Sequence, residues 1–520
     1  MKVLLVYPEY PDTFWSLRHA LKIVNKRASF PPLGIITVAA MLPPEWEKKL
    51  VDMNVEALSD KDIRWADYVF ISAMVVQRDS VNEVIAHSKK LGKKVVAGGP
   101  LFQMEYEAFK DVDHFVLGEG EVTLPLFLKD LAEGHPKHLY YSEERPDITK
   151  TPIPMWSLVN QKKYSSMVMQ YSRGCPFDCE FCDIVILNGH KPRTKTKEQV
   201  IAEFDAIYNS GWRGGLFIVD DNFIGNKKKL KEEILPAITW WNRAHKYVYA
   251  LSTEASINLT DDEELMNLMA QAGFTAVFIG IETPNEDSLL ECNKNQNKGR
   301  DLVECVKTVQ RHGMEVWGGF IVGFDADPLS IFRSQINFIQ KSGIVTAMVG
   351  LLNAPRGTRL YQRLKKENRL VDMSNFSGNN TDCSINFIPR MKLETLMEGY
   401  RNILKNIYSP KEYYERITTF LKEYHPPKLK IKRRLHFYQV RGFFGSVWYM
   451  GIVEKGRRYY WKLLFWTLFR RPRHLPYALY LTVCGYHFRK VFERYIRMPI
   501  EDMLEANKPS NRLKGTVNLG

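Results

Sequence analysis

The segment Tyr171-Ser172-Arg173-Gly174-Cys175-Pro176-Phe177-Asp178-Cys179-Glu180-Phe181-Cys182 sets three cysteines within eight residues, directly after the apolar run 167–172. Downstream, short β-branched and apolar runs recur at 216–220, 248–252, 276–281, 315–322 and 346–351. Helical patterns separate them at 197–209, 227–245, 261–272, 299–312 and 328–342. Six strands alternating with helices at this spacing predict a partial (β/α)6 barrel whose functional residues sit at the C-terminal strand ends. The cysteine loop follows the first of these strands.

Upstream, residues 1–132 alternate in the same way. Strands are expected at 2–7, 68–72, 94–97 and 115–117, and helices at 34–42, 80–91 and up to about 131. That rhythm predicts a Rossmann-like parallel α/β domain. Ligands of such sheets bind at the carboxyl ends of the strands. There the sequence places Ser72 to Gln77, Gly98-Gly99-Pro100 and Gly118-Glu119-Gly120-Glu121. Residues 133–166, with Pro136, Pro146, Pro152 and Pro154, read as a linker. The barrel is expected over 167–355 and a mainly helical region over 356–520.

A chain of 520 residues with 45% hydrophobic content has room for two or three ordinary cores. Besides the three clustered cysteines, Cys292, Cys305, Cys383 and Cys484 are scattered and read as plain small residues. This usage fits a reducing cytoplasm, not a disulfide framework. Only six residues separate Met1 from Pro8, so the N-terminus reads as a strand and not a signal segment. No run approaches the roughly 18 apolar residues of a membrane span. The net charge of +14 is concentrated: 427–499 holds 17 Lys and Arg against Glu454 and Glu493.

The C-x3-C-x2-C spacing carries specific chemistry. Three thiolates hold three irons of a 4Fe–4S cluster and leave the fourth iron free to take the amino and carboxylate groups of S-adenosylmethionine (SAM). The alternative is a zinc site with His190 as fourth ligand, but this spacing at a strand-to-loop junction is foreign to zinc ribbons.

The string Cys175-Pro-Phe-Asp-Cys179-Glu-Phe-Cys182 resembles the radical SAM signature. The resemblance implies Phe181 beside the adenine and Gly214-Gly215 facing the methionine amino group. It further implies Ser252, Glu254 and Glu282, at the third and fourth strand ends, on the methionyl and ribose groups. An α/β domain ahead of such a barrel is similar to the cobalamin-binding radical SAM family, and the likeness covers about residues 1–390. Its landmarks are Pro31-Pro32-Leu33-Gly34, Ser72 with Gln77, Gly98-Gly99 and Gly118-Glu119-Gly120, which in that family hold the corrin and its nucleotide tail. The Asp-x-His-x-x-Gly motif for a lower histidine ligand is absent, and the matching loop reads Ser72-Ala-Met-Val-Val-Gln77-Arg78.

Asp220-Asp221-Asn222-Phe-Ile-Gly-Asn226, Lys195-Thr196 and Asn353-Ala-Pro-Arg-Gly-Thr-Arg-Leu-Tyr361 resemble the subfamily that includes hopanoid C-2 methylases. Asp221 is expected to line the site as a candidate catalytic residue, together with Glu282. Its alternative role is capping a helix near Asn226. The resemblance implies a C-methyltransferase of the class B type. Such an enzyme moves a methyl group from SAM, by way of methylcobalamin, to an unactivated carbon of a lipid, peptide or small molecule. The implied cofactors are a 4Fe–4S cluster, SAM and cobalamin, with reduction by a flavodoxin or ferredoxin. One rival is a cobalamin radical SAM enzyme that rearranges or cyclises its substrate. Another is an RNA-modifying methylthiotransferase, which needs three further cysteines upstream, and residues 1–174 contain none.

In the C-terminal tail, Arg and Lys interleave with Trp448, Tyr449, Tyr459, Tyr460, Trp461, Phe465, Trp466 and Phe469. It packs on the barrel, lies on anionic lipid, or holds RNA phosphate. Long apolar clusters without an RNA module favour lipid over nucleic acid. The expected location is the cytoplasm, with the tail able to reach the inner face of a membrane.

Overall fold

A computed structural model describes residues 1–371, 377–379, 381–426 and 437–507. Of the basic tail read from the sequence over 427–499, residues 427–436 lie outside the described residues. The chain divides into two compact units, one of 1–11, 26–176 and 184–221, the other of 12–25, 177–183 and 222–520.

The first unit is built on a six-stranded parallel sheet. Its strands are β1 (Lys2–Tyr7), β2 (Glu47–Asp52), β3 (Tyr68–Ser72), β4 (Lys94–Gly98), β5 (His114–Val116) and β6 (Leu139–Tyr140), in the order β2-β1-β3-β4-β5-β6. Val3 to Val6, Val69 and Val95 are buried, as near-continuous apolar runs must be when helices cover both faces. The order reverses between β1 and β3, which puts the topological switch point beside Ser72. The stretch expected as a linker is packed instead. Tyr164 is buried and donates to Asp52 at 2.8 Å, and Met155 N–H donates to the Ile36 carbonyl. Prolines there shape a fixed path over the sheet.

The same unit holds β7 (Ser166–Met169), the short hairpin β8 (Ser172–Arg173) with β9 (Arg193–Thr194), and β10 (Gly214–Ile218), which pairs parallel to β7. Thr196 caps the helix Lys197–Asn209 in a reciprocal box with Gln199.

The second unit continues the series with β11 (Tyr249–Glu254), β12 (Phe274–Glu282), β13 (Glu315–Val322) and β14 (Ala347–Leu351), paired parallel in that order. The crossover helices Glu263–Ala272 and Ile331–Ser342 both end on a glycine in the left-handed region, Gly273 and Gly343. Beyond β14 the chain is helical: Arg359–Lys366, Leu393–Ile407, Pro410–Glu423, Phe437–Ser446, Arg457–Arg470 and Leu475–Arg497. Residues 12–25 belong here too: Phe14 stacks on Phe488 at 4.2 Å, and buried His487 donates to the Thr13 and Phe14 carbonyls. Among the described residues no helix is long and apolar enough to cross a membrane.

Candidate active site

In the first unit, the approach to Cys175 is fixed by its backbone. Gly174 has φ +99°, and a Cβ there would meet the Lys191 and Gly189 carbonyl oxygens at 2.8 and 2.9 Å. Only glycine allows the chain to turn there. Its N–H donates to Asp221 at 2.7 Å, and Asn188 donates to both oxygens of the same carboxylate. Asp220 accepts from Tyr171 N–H at 2.8 Å and Ser172 Oγ at 2.6 Å. Burial pushes Asp220 up to about 7 against these hydrogen bonds, and raises Asp221 for the same reason. The paired acids thus hold the strand end and the turn before the first cysteine. Neither caps the helical turn near Asn226, whose side-chain cap comes from Asn226 itself.

Arg173 is clamped by Glu119 at 2.7 Å and Glu121 at 2.8 Å, and Glu119 also meets Arg193 at 2.7 Å. Burial would raise Glu121, but the hydrogen bonds and charge of Arg173 hold it below the usual range. Glu119, expected on the cofactor, is therefore consumed in a buried charge network that orients the cysteine loop. Gln77 is also spoken for. It is buried, accepts from Met74 N–H at 2.8 Å and donates to the Pro8 carbonyl, so it braces the ends of β1 and β3. The neighbouring Arg78 pairs with Glu105.

Ser72, Gly98 with Gly99, and Gly118 with Gly120 do fall at the carboxyl ends of β3, β4 and β5. At Gly99, φ is +91° and a Cβ would meet Ser72 Oγ at 2.8 Å; at Gly118, φ is +85° and it would meet the Ser142 carbonyl at 2.6 Å. Nothing lies within 4 Å of a Cβ at Gly34. A rim of glycine backbone at the switch point fits the close approach of a flat macrocycle.

Gly214 and Gly215 are displaced from their expected place. They begin β10, so they lie about 10–13 Å from its C-terminal end at Ile218. A Cβ at Gly215 would strike Ser166 Oγ at 2.9 Å, which explains the glycine as close strand packing. The C-terminal end of β10 leads instead into Asp220-Asp221.

In the second unit, the loop carrying Cys179, Phe181 and Cys182 is tied down by groups from far along the chain. Glu180 N–H donates to the Cys292 carbonyl at 2.9 Å, and Asn293 donates to the Asp178 carbonyl at 2.8 Å. Arg363 forks onto Glu180 at 2.8 and 2.9 Å and also reaches Asp325 and Glu291. Leu360 N–H and Arg359 of the Asn353–Tyr361 string bond the carbonyls of Glu180 and Asp178. Phe181 packs against Phe324 at 6.1 Å, and Gln296 points its amide at Cys179 Sγ at 3.8 Å.

Ser252 and Glu254 lie at the C-terminal end of β11, and Glu282 ends β12 at a bulge with φ +64°. Such a conformation is costly for a non-glycine residue and marks a held position. Glu282 pairs with Lys294 at 2.7 Å in a nearly buried ion pair. A Cβ at Gly280 would fall on both groups, so its glycine leaves room for the pair. Burial would lower Lys294, but Glu282 and the Cys179 and Cys182 thiols outweigh it and raise its pKa. A firm cation beside two thiols suits an anionic iron–sulfur cluster. Sequence reading missed Lys294, Gln296 and Arg363, which stand more than 110 residues beyond the cysteines.

Glu254 is in register with Phe278, and Phe278 with Trp317, on one face of the sheet. Trp15 packs on both, at 5.7 and 6.3 Å, and its indole N–H donates to Met348 Sδ at 3.1 Å. An aromatic wall therefore stands beside a strand-end carboxylate. A second polar group, Asp12, His19 and His487, has ligand-type atoms close together, but hydrogen bonds already engage it: His19 Nε2 meets Asp12 at 2.6 Å.

Residues 23–128 match the B12 binding domain, 169–333 the radical SAM superfamily, and 358–499 a domain of unknown function, DUF4070. An uncharacterized methyltransferase of Synechocystis is 38% identical over 99% of this chain and 97% of its own length. The hopanoid C-2 methylase of Rhodopseudomonas palustris is 32% identical over 90% of both chains. Among solved structures, the cobalamin-dependent SAM radical enzyme OxsB with aqua-cobalamin superposes at TM-score 0.60 and 14% identity, over 98% of this chain and 82% of that one. The radical SAM methyltransferase TsrM from Kitasatospora setae, with cobalamin and a 4Fe–4S cluster, gives 0.54 and 15%, over 70% and 78%. A B12-binding domain ahead of a radical SAM domain, in a chain with methyltransferase relatives along almost its whole length, leaves one assignment: this chain belongs to the cobalamin-dependent radical SAM methyltransferases.

Proposed function

We propose that the chain methylates an unactivated carbon of an apolar, ring-containing lipid. The observation that carries this is the wall of Trp15, Phe278 and Trp317 beside Glu254. Flat aromatic faces take up fused apolar rings by area burial, at about 25 cal/mol per Å2, and offer little to a charged or peptidic substrate. The hopanoid methylase relative acts, by its name, on a substrate of that chemistry.

Cys175, Cys179 and Cys182 hold the cluster, Phe181, Ser252 and Glu254 orient SAM, and Glu282 is a positioning residue that holds Lys294 at the strand end. Ser72, Gly98, Gly99, Gly118 and Gly120 form the edge that accepts cobalamin. The cluster and cobalamin supply one-electron cleavage of SAM and the relay of its methyl group. The protein's own work is positional: Asp221 and the Arg173–Glu119–Glu121 network fix the cysteine loop, and Lys294 balances thiolate charge. Asp221 is a positioning residue in this reading, because its carboxylate is occupied. Electrons come from a flavodoxin or ferredoxin, and the protein works in the cytoplasm.

The test is to incubate anaerobically reconstituted protein with a membrane lipid extract, a soluble peptide fraction, and SAM labelled in its methyl group. Label is expected in organic-soluble lipid. Label confined to peptide or water-soluble product overturns the substrate class.

A further inference from the structure

The C-terminal helices match a domain to which no function is attached. Their surface is unusual in one respect. Of the 21 large apolar side chains exposed among the described residues, 11 lie between Val440 and Tyr480. Scattered exposed apolar residues are ordinary, whereas a contiguous patch marks a surface that meets something.

The patch has a regular construction. The helix Phe437–Ser446 continues into the wider turn Val447–Val453. Its exposed line is Val440, Phe444, Trp448 and Ile452, at intervals of four, while Ser446 and Met450 face inward. On the next helix, Arg457–Arg470, the exposed line is Arg458, Lys462, Phe465 and Phe469, while Tyr460, Leu463 and Thr467 are buried. Phe444, Trp448 and Phe469 are 65, 57 and 78% exposed.

The two helices are locked to each other. Ser446 Oγ meets Tyr460 OH at 3.0 Å, and Trp461 N–H donates to the Gly451 carbonyl at 2.9 Å. A Cβ on Gly451 would press on the Tyr460 and Trp461 rings at 3.1 and 3.2 Å, so the close approach requires glycine. Trp461 in turn stacks on Phe465. The apolar lines are therefore presented by a rigid hairpin and are not the loose ends of a helix.

The charge around them has one sign. Between 437 and 480 there are eight Lys and Arg and a single acid, Glu454, which is taken by Arg489 at 2.7 Å. Arg441, Lys455, Arg457, Arg458, Lys462, Arg470 and Arg473 are exposed.

We infer that this hairpin is a docking surface for an anionic lipid bilayer. Aromatic and aliphatic side chains enter the headgroup boundary, and long basic side chains reach the lipid phosphates beside them. The composition favours this over RNA, since Val440, Ile452, Val453 and Leu468 have no base-stacking use but dissolve in acyl chains. The surface lies on the membrane, because none of the described helices can span it. It goes beyond the proposed reaction and does not depend on the substrate being a lipid.

The test uses the full reconstituted chain with phosphatidylcholine vesicles and with vesicles containing one third phosphatidylglycerol, read by flotation. Binding to the anionic vesicles is expected, about tenfold weaker to neutral ones. The triple variant Phe444→Ser, Trp448→Ser, Phe469→Ser should lose binding to both. Arg458→Glu with Lys462→Glu should lose only the preference for anionic lipid. These exposed changes leave circular dichroism and 5′-deoxyadenosine formation unchanged. Parent and triple variant floating alike, or no flotation of the parent, overturns the inference. So does a parent dimer in light scattering that the triple variant abolishes, or selective retention of RNA by the parent. Methylation of a lipid without vesicle binding would leave the reaction standing and remove the docking surface alone.

Discussion

Asp221 accepts the amide hydrogen of Gly174 at 2.7 Å, so a carboxylate at a strand end holds the residue before the first cluster cysteine. That bond engages the carboxylate expected in catalysis in bracing the turn that leads into Cys175. A hydrogen bond to a charged group is worth about 1.5–3 kcal/mol. Asp221→Ala is expected to lower iron content after reconstitution and to destabilise the fold by that amount, with Asp221→Asn intermediate. Iron assay and thermal unfolding check this. Full cluster loading in Asp221→Ala, with only the methylation step lost, would return Asp221 to the reacting centre.

Lys294 predicts an electrochemical effect. Replacing it with Met leaves Glu282 buried without its cation, at a cost of about 3–5 kcal/mol. It also removes a positive charge beside Cys179 and Cys182, which favours the more oxidised cluster. The midpoint potential, followed by electron paramagnetic resonance, should move negative. In the double variant Lys294→Met, Glu282→Gln, which removes both charges of the pair, stability and potential should both largely return. An unchanged potential in Lys294→Met would separate this lysine from the cluster.

The aromatic wall predicts uncoupling. In Trp15→Ala, SAM cleavage should continue while methylated product falls about tenfold, because a poorly held substrate meets the radical out of line. The ratio of methyl product to 5′-deoxyadenosine measures it. An unchanged ratio would place Trp15 in the core and not on the substrate.

His487 carries a pH dependence of stability. Burial, with His19 nearby, lowers its imidazole to about 4, while Asp12 and the Thr13 and Phe14 carbonyls oppose the shift. The unfolded chain binds a proton near 6.5 that the folded protein refuses. Stability should therefore fall as pH drops from about 6.5 to about 4, by up to about 3 kcal/mol, and this component levels off below. His487→Gln, which keeps an N–H for the two carbonyls, should flatten that slope in denaturant unfolding across the range.

The strands were legible where they are buried on both faces. The run 2–7 reads as a strand because Val3 to Val6 are all interior. By contrast, β2 was silent in the sequence, since Glu47-Lys48-Lys49 opens an edge strand whose first half faces solvent. The cysteine loop announced itself by spacing alone. The glycine pair 214–215 misled, because a glycine that packs a strand start looks the same in sequence as one that admits a ligand. Gln77 and Glu119 do lie beyond strand ends, as expected, but their partners Pro8 and Arg193 are brought there only by the fold. Lys294 had no local signal at all; its role comes from a turn after β12 that returns it to Glu282. Trp15 likewise gains meaning only against Phe278 and Trp317.

The most direct measurement of the central claim counts products in one reaction. Reconstituted protein with cobalamin, a reductant, SAM and acceptor lipid should release S-adenosylhomocysteine and 5′-deoxyadenosine in equal amounts, matched by methylated lipid. Cys179→Ala should abolish the 5′-deoxyadenosine. Deoxyadenosine formed without S-adenosylhomocysteine, or persisting in Cys179→Ala, would contradict the account.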